Sequence, residues 1–406
     1  MRPVIKNIIL LTVLSTFLSQ VYPQSVAESN YLRGKSKLES GQYDSALIYL
    51  DKAMLVKPGD ANVLFSKGLA LFYKSQFAMA IKEFEQVEKI SQGRASIWIA
   101  RSYANLRDPE NCIKALDIHL KSNYRLPEST LLLDPDLSIL ENDPEYINFW
   151  KNGNWYTGLD QTLAEAGYLI KSKKYPEAIN VLSDGIKKGY RKAPLYAKRA
   201  EVYLEVGNLR LALEDLNQSL EMDRRNPELL AQRANILYIT GKYKPALEDF
   251  NAALKLSPDD IKYYVGRAMT LNKTGFYDDA AKDMNLYLTY YPGNDSVWYH
   301  FGQIHYDNGN YFEAINCFNQ SLKISQNDAR YFAARGATYL KTKTYHYAWK
   351  DFSMALDLDP KNSQTYVNKG IAALNTGKKE DACFCFEMAK RLGNKEAFNY
   401  AEKYCR

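Results

Sequence analysis

Small and hydrophobic residues recur along the chain with a period of 34 residues. One register consists of small residues, at Ala200, Ala234, Ala268, Gly302, Gly336 and Gly370. A register of alanines follows twelve residues later, at Ala212, Ala246, Ala280, Ala314, Ala348 and Ala382. Four residues after that comes a register of larger side chains, at Leu216, Phe250, Met284, Phe318, Phe352 and Phe386. A unit of this length holds two helices but is too short for a domain, so the pattern predicts an all-α solenoid of stacked helix pairs.

Each unit is predicted to be a helix-turn-helix pair, because its packing positions lie three and four residues apart. In the unit that begins at Asp295, Trp298 and Gly302 lie on one stripe of a first helix. Ala314 and Phe318 lie on one stripe of a second helix. The turn between the two helices is marked by a glycine at Gly207, Gly241, Gly275, Gly309 and Gly377.

The pattern resembles the tetratricopeptide repeat, whose consensus runs Trp-x2-Leu-Gly-x2-Tyr, then Ala-x3-Phe, then Pro. Two units carry the matching residues, which are Trp298, Gly302, Ala314 and Phe318 in one and Tyr366, Gly370, Ala382 and Phe386 in the other. The resemblance implies a right-handed superhelix of about ten repeats. It also implies a scaffold that binds a protein or peptide partner and has neither a cofactor nor catalysis of its own.

The phase of the repeat predicts five segments. These are a signal peptide at 1–24, an N-terminal block of about three repeats at 27–122, an irregular helical junction at 123–158, a C-terminal array of seven repeats at 159–396 and a capping helix at 397–406. Because the phase never slips between Leu159 and Glu396, the seven repeats are expected to stack as one rigid array.

The junction combines helix-start signals with aromatic residues. Asp-Pro pairs at 134–135 and 143–144 predict the first residues of short helices. Trp150 and Trp155 predict a packed segment instead of a loose linker. The junction also holds an acidic cluster, at Asp134, Asp136, Glu141, Asp143 and Glu145. The cluster lacks the ligand spacing of a calcium loop, so no metal site is predicted.

The N-terminal residues have the pattern of a secretory leader. Arg2 and Lys6 precede an apolar core at residues 8–18, which is short for a membrane span. We expect cleavage between about Gln20 and Val26, and a mature protein that is periplasmic, at the cell surface or secreted, with no membrane contact. An uncleaved leader that anchors the chain in a membrane is the alternative.

Charge and cysteine content add little to this picture. The chain has 53 Lys and Arg against 47 Asp and Glu, and a dispersed net charge of +6 does not indicate nucleic-acid binding. The five cysteines have no metal-ligand spacing. Cys317 and Cys385 each precede the aromatic packing position, which favours buried small hydrophobic residues over a disulfide or a reactive thiol. Whether any cysteines pair is left open.

A second pair of registers carries opposite charges. Arginines stand at Arg199, Arg233, Arg267 and Arg335, and aspartates sixteen residues later stand at Asp215, Asp249, Asp283 and Asp351. Where the arginine is replaced by Phe301 or Lys369, the aspartate is replaced by a cysteine. The covariation predicts structural ion pairs, either across one helix pair or between adjacent units.

The sequence offers no constellation of catalytic groups. His300 and His305 are five residues apart, which does not place two metal ligands on one helix face, and a packing role is predicted for His305. No phosphate-binding loop or nucleophile elbow is present. We therefore predict that the protein is not an enzyme and has no catalytic, cofactor-binding or metal-binding residues.

The resemblance places positions two, five, nine and twelve of each unit on a concave groove. The predicted partner-binding residues there are Asn235, Tyr238, Lys262, Met269, Asn272, Tyr299, Gln303, Tyr306 and Arg330. Aromatic, amide and basic groups together suit an extended peptide or a partner helix. The three tyrosines are predicted to form the hot spot and to make no packing contacts within the solenoid.

Other interpretations of this face remain open. Ala231 and Gly266 stand where family members that capture a C-terminal carboxylate carry Lys and Arg, so that mode of binding is not expected. The tyrosines also suit a non-protein ligand such as an envelope glycan. An ordinary solvated helix face is the remaining interpretation.

Overall fold

The computed structural model describes residues 26–153, 155–190 and 192–405, and the predicted signal peptide lies outside these ranges. Within them the chain is all-α, without a strand, and the two helices of most repeats pack against each other. The prediction of a solenoid of helix pairs is therefore confirmed. No helix in the described ranges has both the length and the apolar character needed to cross a membrane.

The contacts divide the chain into two compact units, with the boundary between Val206 and Gly207. The helices of the first unit are α1 (Val26–Glu39), α2 (Tyr43–Val56), α3 (Ala61–Tyr73), α4 (Phe77–Ile90), α5 (Ser96–Asn105), α6 (Pro109–Leu120), α7 (Glu128–Leu132), α8 (Pro144–Asn152), α9 (Gly158–Lys171), α10 (Tyr175–Lys187) and α11 (Ala193–Glu205). A 3-10 helix at Leu137–Leu140 lies between α7 and α8.

The second unit continues the same alternation. Its helices are α12 (Leu209–Met222), α13 (Pro227–Ile239), α14 (Tyr243–Leu256), α15 (Lys262–Lys273), α16 (Tyr277–Tyr290), α17 (Asp295–Asp307), α18 (Tyr311–Ile324), α19 (Ala329–Lys341), α20 (Tyr345–Leu358), α21 (Ser363–Asn375), α22 (Lys379–Arg391) and α23 (Lys395–Tyr404). The unit boundary falls inside the predicted array at 159–396, and the five predicted segments remain a prediction.

Each phenylalanine of the large-residue register packs onto a residue without a side chain. A Cβ atom built on Gly302 would lie 2.5 Å from Cε1 of Phe318, which is closer than two carbon atoms approach. The same contact pairs Gly68 with Phe84, Gly336 with Phe352 and Gly370 with Phe386. In the unit of Phe250 the small position is Ala234 instead of a glycine, and the Phe250 ring packs against Gly266 of the next unit. The small and large registers therefore meet in the core.

Three of the four predicted ion pairs are seen to form across the two helices of one unit. Arg267 donates from Nε and Nη2 to both carboxylate oxygens of Asp283, at 2.7 and 2.8 Å, and both side chains are buried. Arg233 pairs in the same way with Asp249, and Arg335 with Asp351. Two parallel hydrogen bonds to one carboxylate fix the relative position of the helices.

Each of these arginines also contacts an asparagine, which the sequence analysis did not predict. Nη1 of Arg267 donates to Oδ1 of Asn251, which lies on the preceding unit, at 3.0 Å. The equivalent contacts join Arg233 to Asn217 and Arg335 to Asn319. The asparagines recur sixteen residues before each arginine, so a signal was present in the sequence. Each arginine therefore holds its own helix pair together and also links it to the unit before.

The junction consists of short capped helices, as the Asp-Pro pairs predict. Asp143 accepts hydrogen bonds from the backbone N–H groups of Glu145 and Tyr146 at the start of α8. Asp134 accepts from the N–H of Leu137 and forms a 2.6 Å ion pair with Arg101 of α5. Leu131, Leu137, Leu140 and Tyr146 are buried in the same core as α3 to α6. The segment is therefore packed against the N-terminal repeats.

Cys383 and Cys405 form a disulfide, with 5.5 Å between their Cα atoms. The sequence leaves open whether any cysteines pair and favours burial only for Cys317 and Cys385. Helix α23 packs against α22, and this brings Cys405 beside Cys383, an approach that sequence spacing does not reveal. The preference is confirmed for Cys317 and Cys385, which are buried. Burial raises the pKa of the Cys317 thiol to about 12, so it has little thiolate character.

His119 on α6 is a buried histidine held in its neutral form. Its side chain is 1% exposed, and Nε2 accepts a 3.0 Å hydrogen bond from the backbone N–H of Leu126. Burial lowers the pKa of His119 to about 4, although a hydrogen bond to the backbone of Gly93 opposes the shift. A protonated ring could not accept the bond from Leu126, so this contact at the start of the junction requires the neutral imidazole.

The ion pairs predict selective coupling between two residues. We expect Arg267→Ala to lower the free energy of unfolding by ~1–4 kcal/mol, because it leaves the Asp283 carboxylate buried without a partner. Removing Asp283 as well should add much less. Urea denaturation fitted with a nearest-neighbour repeat scheme measures both effects. The control cycle combines Arg267 with Asp249, whose partner is Arg233, and should show no coupling. Equal coupling in the two cycles would contradict the assignment.

His119 predicts a pH dependence of stability. The unfolded imidazole has a pKa near 6.5 and the folded one near 4, so the unfolded chain binds the proton first as the pH falls. The free energy of unfolding should drop by on the order of 3 kcal/mol between about pH 6.5 and pH 4. Urea denaturation of the wild type and of His119→Gln isolates this term from titrating carboxylates. Parallel pH profiles for the two proteins would show that His119 carries no such linkage.

Candidate partner-binding groove

The nine predicted groove residues lie on the first helices of four consecutive units, which are α13, α15, α17 and α19. Side-chain caps set where three of these helices begin. Asn226 accepts from the N–H of Leu229 and Asn294 from the N–H of Val297, while Asp328 caps α19 through its bond from Arg330. The caps keep the same register from unit to unit, so equivalent side chains lie on equivalent faces.

Tyr299 and Arg330 belong to a packed cluster near the starts of their helices. The ring of Tyr299 lies 5.9 Å from that of Phe318 and 5.3 Å from that of Tyr331. The Arg330 guanidinium lies 5.7 Å from the Tyr299 ring and is hydrogen-bonded to both carboxylate oxygens of Asp328. The expectation that Tyr299 makes no packing contacts is wrong, because the adjacent unit brings Tyr331 against it. The charge of Arg330 is neutralised by Asp328, so it is a poor anchor for an anionic ligand.

A second cluster lies near the ends of the same helices. Asn272 donates from Nδ2 to Oδ2 of Asp307 on the next unit, at 2.8 Å. The Oδ1 atom of Asn272 is buried and has no hydrogen-bond partner among the described residues. Half-buried Tyr238 and Tyr306 each pack on the tyrosine five residues later, with 5.8 and 5.7 Å between ring centroids. The expectation of no packing contacts is therefore wrong for these two tyrosines as well, because each ring reaches the second helix of its own unit.

Three of the predicted residues carry hydrogen-bonding groups that the described part of the chain leaves unused. Asn235 and Lys262 are exposed and Gln303 is half-buried, and their side-chain polar atoms bond to none of the described residues. Met269, on the same helix as Lys262, is partly buried against the core around Ala268 and Met284. Three successive first helices therefore carry two amides and one ammonium group that the fold does not use.

Asp307 was missed by the sequence prediction. It follows Tyr306 at position thirteen of its unit, one residue beyond the register from which groove residues were taken. Its carboxylate meets Asn272 only because adjacent first helices are packed side by side. The only available signal was an acidic residue at the end of a first helix, which is common on any helix surface and therefore not distinctive.

The histidines and acidic residues of the described ranges do not assemble into a metal site. These ranges contain no group of three or more His, Cys, Asp or Glu side chains placed to hold a metal ion. The ring of His305 lies 4.5 Å from that of Phe301, in the packing role predicted for it. Burial lowers the pKa of both His300 and His305, which favours their neutral forms.

Sequence profiles of one family match the chain in four places. A TPR repeat matches residues 302–343, and tetratricopeptide repeats match residues 31–95, 193–226 and 227–260. A comparison with curated proteins finds no significant match.

Solved structures with similar folds are tetratricopeptide proteins. One from Parabacteroides merdae is 20% identical, covers 61% of this chain and 98% of its own, and has a TM-score of 0.51. The C-terminal part of a TPR repeat-containing protein from Cytophaga hutchinsonii is 19% identical, covers 58% of this chain and 98% of its own, and has a TM-score of 0.45. YrrB, described as a TPR protein with an unusual peptide-binding site, is 17% identical, covers 47% of this chain and 99% of its own, and has a TM-score of 0.39.

Proposed function

The chain belongs to the tetratricopeptide repeat family, and we propose that it is a non-catalytic scaffold that binds an extended peptide segment of a partner protein in the groove of its second unit. The fold supports a role in protein-protein interaction in general terms. The observation that carries the finer proposal is the set of unused hydrogen-bonding groups on Asn235, Lys262 and Gln303.

An extended peptide matches these groups chemically. Each of its residues presents one N–H donor and one C=O acceptor, and the amides of Asn235 and Gln303 both donate and accept. The half-buried rings of Tyr238 and Tyr306 supply rigid apolar surface at low cost in side-chain entropy. Backbone recognition by amides and side-chain contacts with tyrosines together favour a peptide over an anionic ligand.

The groove proposal is tested with peptides selected on the full chain from a random linear display library. We expect the double variant Asn235→Ala, Gln303→Ala to weaken their binding by about tenfold or more, because it removes donors and acceptors that only the ligand would use. Its melting temperature should stay close to that of the wild type, since neither side chain bonds within the fold. Fluorescence anisotropy and thermal denaturation measure the two effects.

The matched control is Gln320→Ala on α18, an exposed amide outside the groove that should leave binding unchanged. Tyr299→Ala is not a clean probe, because the ring packs on Phe318 and its loss destabilises the repeat. Peptide binding that is undiminished in the double variant would place the site elsewhere. Selective binding of oligosaccharides without any peptide binding would favour the glycan alternative.

We also propose that the mature chain works outside the cytoplasm, in a periplasm or at a cell surface. The charged and apolar pattern of residues 2–18 is that of a secretory leader. The Cys383–Cys405 disulfide is in keeping with this, because disulfides persist in oxidising compartments and are rare in reducing ones.

Chain isolated from its native cells tests this location. N-terminal sequencing should find a start between about Gln20 and Val26. After denaturation without reductant, a thiol-reactive polymer should modify the three free cysteines of the five and spare Cys383 and Cys405. Prior reduction is the control and should make all five react. An intact Met1 in a membrane fraction, or five reactive thiols without reductant, would contradict export of a cleaved, oxidised protein.

A further inference from the structure

The junction presents large aliphatic side chains to solvent. Leu133 is 83% exposed, Leu132 55%, Ile147 48% and Ile139 40%. All four lie within sixteen residues of sequence, whereas their neighbours Leu131, Leu137 and Leu140 are fully or almost fully buried. The outward leucines and isoleucines therefore contribute little to the core. Four aliphatic side chains this exposed within one short segment supply apolar surface whose burial by a partner is favourable.

The segment that carries these side chains is firmly held. A run of backbone hydrogen bonds closes successive turns, from Asp134 to Leu131, from Ser138 to Asp134 and from Asp143 to Leu140. The buried ion pair between Asp134 and Arg101 attaches the first turn to α5. The Asn105 side chain of α5 also donates to Asp136, at 2.9 Å. The aliphatic residues are thus presented in one arrangement by a rigid support, which lowers the entropic cost of binding.

The same segment has a strong local charge. Between Leu126 and Trp150 the sequence has six carboxylates and no Lys, Arg or His, although the whole chain has a net charge of +6. Asp134 is paired and Asp143 caps α8, but Glu128, Glu141 and Glu145 are exposed and have no cationic partner among the described residues. The aliphatic side chains are therefore accompanied by uncompensated negative charge.

We propose that this junction surface, formed by Leu132, Leu133, Ile139 and Ile147 with Glu128, Glu141 and Glu145, is a docking site for a basic amphipathic helix of a partner protein. Burial of the aliphatic side chains supplies affinity. The glutamates attract Lys and Arg, speed the encounter and repel acidic segments. The surface lies in the first unit and shares no residue with the groove, so it goes beyond the peptide-binding proposal and does not depend on it.

The probe is a synthetic amphipathic helix of about 18 residues made of Leu and Lys, with a second peptide in which Glu replaces Lys. Binding of each labelled peptide to the full chain is measured by fluorescence anisotropy. We expect the Leu-Lys peptide to bind at least about tenfold more tightly than the Leu-Glu peptide. Its affinity should also fall as salt is raised, because the attraction involves exposed charges.

Two variants separate the apolar and the ionic contributions. Leu132→Ser with Leu133→Ser should weaken the Leu-Lys peptide about tenfold or more. Glu141→Gln with Glu145→Gln should weaken it about threefold or more and reduce its salt dependence. The substituted side chains are exposed, so thermal denaturation of both variants should match the wild type.

The chain contains a matched control for the leucine pair. Leu55 and Val56 at the end of α2 are also consecutive and are 83% and 54% exposed, but the nearby charges are balanced, since Lys52 and Lys57 accompany Asp51 and Asp60 and Lys57 pairs with Asp60. Leu55→Ser with Val56→Ser should leave binding within about twofold of the wild type. The groove variant Asn235→Ala, Gln303→Ala should likewise bind the probe normally, which keeps the two proposals separable. Equal weakening by the control pair, no effect of the glutamine variant, equal binding of both peptides, or no binding of the Leu-Lys peptide to the wild type would overturn the proposal.

Discussion

The distance between the two helices of a repeat depends on an aromatic ring that occupies space left by a missing side chain. Phe318 is completely buried, and its ring lies where any Cβ on Gly302 would collide with it. Because a packed core has no spare volume, a larger residue at either position would push the helices apart. The groove depends on this contact, since the first helices that carry it are held by the second helices behind them.

Polar contacts of the arginines then fix the position of each helix pair relative to the preceding repeat. The Asp283 carboxylate holds Arg267 across one helix pair, and the Asn251 amide holds the same guanidinium from the preceding unit. Two later units have no arginine at this position. Phe301 replaces the arginine in one and lies 4.5 Å from the His305 ring, and Lys369 replaces it in another and lies 5.1 Å from the Trp349 ring. In both, a cysteine replaces the aspartate, which in the Phe301 unit avoids a buried carboxylate without a cation.

The groove shows how a repeat protein divides its surface between structure and binding. Tyr299 lies at a groove position, yet it packs against Phe318 and Tyr331 because its ring reaches the adjacent unit. Asn235, Lys262 and Gln303 stand at other groove positions, and their side-chain polar groups bond to none of the described residues. A groove position in the repeat therefore does not by itself decide whether a side chain packs within the solenoid or stays available to a ligand.

The sequence by itself determined the helix pairs, their boundaries to within a few residues and the pairing of Arg267 with an aspartate, because these contacts are local and recur in several copies. It did not determine which aspartate, the Asn251 contact, the burial of Tyr299 or the Cys383–Cys405 bond. Each of these depends on where one helix lies against a helix of the next repeat or of the cap. Periodicity records that two positions vary together, but only the tertiary structure sets the distances and orientations that decide which groups meet.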